Sequence, residues 1–131
     1  MEVDIDLRVT PEYIEELQKN EIFVFGSNLP GLHVVGAANI AHNRWGAKWG
    51  KGTGLHGQTY AIPTMQGTID TIKQYVDEFI NFAKKNTHLT FLVTPICDIA
   101  GLRPIDIAPL FYEATSIENI FLPNCFWRYL A

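Results

Sequence analysis

Residues 21–25, EIFVF, form a continuous apolar, β-rich run with no polar alternation to mark a face left in water. A strand of this kind is covered on both sides, which places it at the centre of a sheet with helices packed above and below. Residues 59–64, TYAIPT, and 90–94, TFLVT, read as further strands, and NIFLP near the end of the chain as the last one.

Helical signals fall between the strands. Ile69, Ile72, Val76, Phe79, Ile80 and Ala83 recur at helical spacing between Thr68 and Asn86, an apolar stripe that belongs to the core. After Gly36, the residues Ala37, Ala38, Ile40, Ala41 and Trp45 suit a helix packed close to a sheet, and Gly46 stops it. Thr10 is placed to cap a helix with Pro11 at its first position, ending near Asn20. A further helix is expected from about Ile105 to Ala114. Strands alternating with helices predict a three-layer α/β/α fold with a largely parallel central sheet, as a single domain over residues 1–131.

Composition narrows the partners. The chain is 47% hydrophobic and 18% charged, with a net charge of -4 and its lysines scattered rather than striped, which argues against tracking a nucleic-acid backbone. Cys97 and Cys125 lie in apolar surroundings with no short-spaced Cys/His pattern, so neither zinc ligation nor a disulfide framework is implied, and no cofactor is called for. No apolar run approaches the roughly 20 residues of a membrane helix. These features predict a soluble cytoplasmic protein. The closing CFWRYL either packs on the domain or forms a homodimer contact.

The turn after the first strand carries the functional question. Gly26 and Gly31 have the spacing of a phosphate-binding P-loop, but Leu32 and His33 stand where that loop needs its lysine and its magnesium-binding hydroxyl. The glycine rhythm of a dinucleotide fingerprint is missing too. Ser27 has no G-x-S-x-G context and is read as capping a turn rather than as a nucleophile. Residues 47–58, AKWGKGTGLHGQ, are too rich in glycine for regular structure and predict a long functional loop flanked by Trp45 and Trp49. In open α/β sheets ligands sit beyond the carboxyl ends of the strands, so the turns after Phe25, Ile62 and Val93 are the places to look.

The segments FVFGSNLPGLH…GAA, GLHGQTYAIPT and FLVTPICDIAG…IAPLF, taken in that order, resemble a family of small phage and bacterial proteins related to the macro domains, which bind ADP-ribose and its derivatives. The resemblance runs from about Glu21 to Pro123 and implies a macro-like fold. It points to Asn28 beside a distal ribose, with Ser27 next to it. Gly31, His33, Gly36 and Ala37 would wrap ribose and pyrophosphate, and Ile99, Ala100 and Gly101 would clasp the phosphates from a second loop. Tyr60 offers area on the crevice wall. Glycine turns and helix N-termini bind anions through backbone N–H groups, which would suit loops that contain no lysine. Val34, Val35 and Asp98 depart from the glycines of the family pattern. Two β-branched residues resist positive φ, and Asp98 brings a negative charge toward the expected phosphates.

The reading that follows is a macro-like module for an ADP-ribose-type nucleotide. If it has weak ADP-ribosyl hydrolase activity, Asn28 orients a water and His33 or Asp98 serves as the base. The alternative is a macro-like scaffold whose pocket is filled by Val34, Val35 and Asp98 and which acts as a protein-interaction or structural domain.

Overall fold

The computed structural model of the protein describes residues 8–28, 31, 36–64, 68–96 and 103–130. Its elements in chain order are β1 (Glu21–Ser27), α1 (Gly36–Arg44), β2 (Gly54–His56), β3 (Thr59–Pro63), α2 (Ile69–Lys85), β4 (Thr90–Val93), α3 (Pro104–Ile107), a 3-10 helix (Ala108–Ser116), β5 (Ile120–Phe121) and α4 (Asn124–Leu130). The five strands lie in the order β2-β3-β1-β4-β5. β1 pairs in parallel with β3 and β4, β4 pairs in parallel with β5, and β2 is an antiparallel edge strand on β3. The sheet is therefore mixed but largely parallel, with β1 at its centre.

Alternate residues of β1 explain how both faces fill. Ile22 and Val24 point into a large core with Ile62, Phe91 and Val93, closed by α2, the 3-10 helix and α4 through Val76, Phe79, Ile80, Phe111 and Phe126. Phe23 and Phe25 point the other way, onto Ala38 and Ala41 of α1, with Ile14 and Leu17 packed beside them. Small side chains on α1 let it approach the sheet closely enough for two phenylalanines to fill the gap. Helix α2 ends where its sequence signals lie: the Thr68 hydroxyl accepts from the Thr71 amide at 3.4 Å, and the Asn86 amide donates to the Ala83 carbonyl.

Three expectations change in the structure. Residues 10–20 form no helix. The Thr10 amide donates to the Leu122 carbonyl at 2.9 Å, Val9 bridges to Leu122 beyond the β5 edge, and Glu21 closes on Gln18 at the foot of β1. Residues 10–20 thus cross from the β5 edge of the sheet to the foot of β1, laying Ile14 and Leu17 beside Phe23 and Phe25. Thr10, expected as a cap, has a buried hydroxyl with no hydrogen-bond partner among the described residues. The helix expected from Ile105 is a short α-helix that continues as a 3-10 helix, because Pro109 lacks the N–H that an α-helical ladder needs there. The glycine-rich segment contains the three-residue strand β2.

The closing segment packs on the domain. Helix α4 buries Phe126 and Trp127, and the Trp127 indole donates to the Arg8 carbonyl at 3.0 Å. The Arg8 guanidinium in turn donates to the carbonyls of Ile120, Ala114 and Thr115. Among the described residues no helix is long and apolar enough to cross a membrane.

Asn119 fastens the same end of the sheet. Its side-chain amide reaches the carbonyls of Ala83, Asn86 and Leu89 at 3.0–3.2 Å, joining the end of α2 to the approaches of β4 and β5. Replacing Asn119 with Ala leaves three carbonyls without that donor and is expected to lower unfolding free energy by about 1–3 kcal/mol, measured by urea denaturation.

Candidate functional site

Parallel pairing brings the carboxyl ends of β1, β3 and β4 to one edge of the sheet. The register sets Ser27 opposite Pro63 and Val24 opposite Val93. The Thr64 amide donates to the Ser27 carbonyl at 2.9 Å, while the Thr94 amide and hydroxyl both donate to the Val24 carbonyl, at 3.0 and 2.7 Å. Gly26 is what allows this convergence. A Cβ at that position would stand 2.7 Å from the Thr64 hydroxyl and 2.9 Å from Ile96 Cγ2.

Connections leave this edge in opposite directions. From β1 the chain passes through α1 to β2 and β3 on one side, and from β4 it passes through α3 to β5 on the other. The boundary between β1 and β4 is thus the topological switch point of the sheet, the place where open α/β sheets form ligand crevices. A crevice of about 410 Å³ lies there, walled by Phe23, Ala37 and Ile40 on one side, Tyr13 and Ile14 on another, and Thr94 and Pro95 at the β4 end. Its lining is mainly apolar, with Glu12 and Glu15 on the crossing segment.

The described residues of the turn after β1 are not part of that lining. Asn28 is half-buried, and its carbonyl accepts from the Gly31 amide at 3.0 Å. Gly31 has φ of +72°, and its carbonyl accepts from the Gly50 amide at 2.8 Å. The Ser27 hydroxyl is fully buried and donates to the Gly52 carbonyl. Residues 48–53 therefore run as a strap across the end of β1, and a Cβ on Gly31 would meet Lys51 N at 2.2 Å.

The candidates divide into three groups. Ser27, Asn28 and Gly31 come together at the end of β1, whereas Ala37, in the first turn of the helix that Gly36 begins, lines the crevice. Tyr60 lies apart from them, its ring packed on Phe79 and Phe82 in the α2-side core with centroids 5.1 and 5.3 Å away. His33, Asp98, Ile99, Ala100 and Gly101 lie outside the described residues, as do Val34 and Val35. Trp45 packs on Phe23 at 4.7 Å, whereas Trp49 is 52% exposed on the strap and meets the His42 ring edge-on.

Thr94 and Pro95 fall in the turn after Val93, and the strap in the glycine-rich loop, both marked in the sequence as places to look, whereas Ile40 was expected only as a helix residue packed close to the sheet. Lys51 reaches the Gly31 turn only through the return path of α1, so no local motif announces it. Among the described residues no three His, Cys, Asp or Glu side chains gather to hold a metal ion. Comparisons with protein-family models, curated proteins and solved structures give no significant match to this chain.

Gly31→Ala adds strain at a positive φ and collides with backbone, so it is expected to release the strap, seen as faster amide hydrogen exchange over residues 48–54. The Tyr60 phenol supplies a pH signature. Burial first, and then the Glu78 carboxylate, push its pKa from 10.0 to about 12. The folded state holds this proton more tightly than the unfolded chain does. The resulting stabilisation is complete below pH 10 and is lost as the pH rises toward 12, amounting to about 2–3 kcal/mol. Tyr60→Phe should flatten that part of the stability profile in chemical denaturation at pH 9 to 12.

Proposed function

We propose that the protein binds a nucleotide of the ADP-ribose type in the crevice at the switch point between β1 and β4. The observation that carries this reading is the crevice's position: an apolar recess of about 410 Å³ beside the carboxyl ends of two parallel strands whose connections diverge. A planar, largely apolar base fits the groove between α1 and residues 11–15, and the ribose and pyrophosphate extend toward Asn28 and Gly31. The resemblance of FVFGSN, YAIPT and the segment after β4 to macro-related proteins supports the same ligand class.

The alternative, a macro-like scaffold whose pocket is filled for protein contacts, turns on Val34, Val35 and Asp98, which lie outside the described residues. Hydrolysis of an ADP-ribosyl ester demands a base as well. Its candidates, His33 and Asp98, lie outside the described residues, so the proposal is one of binding.

Calorimetric titration of ADP-ribose, with AMP and ATP as comparators, tests it. Micromolar affinity for ADP-ribose that weakens at least about tenfold in Asn28→Ala, the loss of one or two hydrogen bonds, is the expected result. A folded protein that gives no heat at millimolar ligand refutes the proposal.

A further inference from the structure

Residues 11–17 cross the sheet with little but side-chain packing to hold them. The two ends are fastened. The Thr10 amide donates to the Leu122 carbonyl at 2.9 Å. At the other end the Gln18 amide donates to Glu21 Oε1 at 2.8 Å, and the Gln18 carbonyl accepts from the Glu21 amide at 3.0 Å and from Gln58 Nε2 at 2.8 Å. Between those ends the segment makes no hydrogen bond among the described residues, and Glu12, Glu15 and Glu16 enter no ion pair there. Only Ile14 and Leu17 are half-buried, against the core that contains Phe23 and Phe25, while the other five residues are exposed, Tyr13 by 83%. A stretch with few buried apolar contacts and no hydrogen bonds opens far more readily than the body of a fold.

Space lies along both flanks of the segment. On one side it walls the crevice of about 410 Å³ that it shares with Phe23, Ala37 and Ile40, and on the other a recess of about 310 Å³ that reaches Leu92. Its first fixed point is imperfectly satisfied: Thr10 is 4% exposed, and its hydroxyl has no hydrogen-bond partner among the described residues. A buried hydroxyl without its hydrogen bond disfavours the state that buries it. Pro11 and Glu12 share a further recess with Thr10, so lifting the segment uncovers that side chain first.

We propose that residues 11–17 are a lid. Hinged at Thr10 and Gln18, the segment lifts as a unit to admit a ligand to the crevice between it and α1 and closes over the bound molecule, and the unsatisfied Thr10 hydroxyl biases it toward opening. The lid follows from the segment's own geometry, whereas its ligand being a nucleotide rests on the reading above.

Limited proteolysis with a glutamate-specific protease tests this, since Glu12, Glu15 and Glu16 lie in the lid and Glu78, on α2, reports opening of the whole fold. In the wild type the lid sites are expected to be cut ahead of Glu78, at a rate that depends far less on urea than the cut at Glu78 does. Thr10→Val, which keeps the shape and removes the unpaired hydroxyl, should slow the lid cuts by about three- to tenfold, and Ile14→Ala should speed them by a similar factor. ADP-ribose, its binding read separately by calorimetry, should slow them by about tenfold at ten times its Kd. Lid cuts that share the urea dependence of Glu78, or that neither variant moves, overturn the inference. ADP-ribose that binds without slowing them also overturns it and leaves the nucleotide reading standing. Early lid cuts that move with both variants, in a folded protein that gives no heat with millimolar ADP-ribose, uphold the lid and overturn that reading.

Discussion

The two-sided burial of β1 is the constraint from which the other features follow. Ile22, Val24, Phe23 and Phe25 are all nearly inaccessible to water, so the strand needs a full layer on each face. At about 25 cal/mol per Å² of apolar surface, each such side chain contributes on the order of 1.5–3 kcal/mol when buried. Leaving either face open would forfeit two of the four. One face receives α2 with its regular apolar stripe, and the other receives α1 together with a chain segment that lays Ile14 and Leu17 across the sheet. Because neighbouring strands run parallel to β1, their carboxyl ends gather at one edge, and the crevice is a consequence of how the core is closed.

This is also why some of the fold was legible in the sequence. EIFVF and TFLVT carry their own evidence, since an unbroken apolar run has few other ways to be buried. The stripe from Ile69 to Ala83 and its flanking Thr68 and Asn86 likewise mark a helix through local chemistry. Residues 10–20 misled because Thr-Pro at the head and a helix-friendly composition are local signals, whereas the path from Leu122 to the foot of β1 is a global demand. The break at Pro109 is also local: the missing N–H turns an expected α-helix into a 3-10 one.

The candidate site was legible in part, and along the same dividing line. Gly31 is readable as a turn residue, and its φ of +72° agrees with that. Its closest constraint, however, comes from Lys51, brought near by a return path no spacing rule describes. Tyr60 illustrates the reverse error of a plausible wall residue. Alternation along β3 turns its ring to the α2 side, where Phe79 and Phe82 enclose it, while its neighbour Ala61 faces α1.

Charge gives the proposed site a direction. The protein carries a net charge of -4, which on a uniform surface would repel a nucleotide, yet uniformity is not what the fold produces. Glu12 and Glu15 stand on the crossing segment at the groove, and Lys51 stands on the strap at the end of β1. Exposed charges farther apart than the Debye length of about 8 Å at physiological salt are largely screened from one another, so the local charge and not the net charge decides what an anion meets at each place on the surface. The glycines at positions 50 and 52 therefore do more than permit a turn: their backbone groups tie the strap to Gly31 and Ser27, and so carry the backbone of Lys51 to the end of β1.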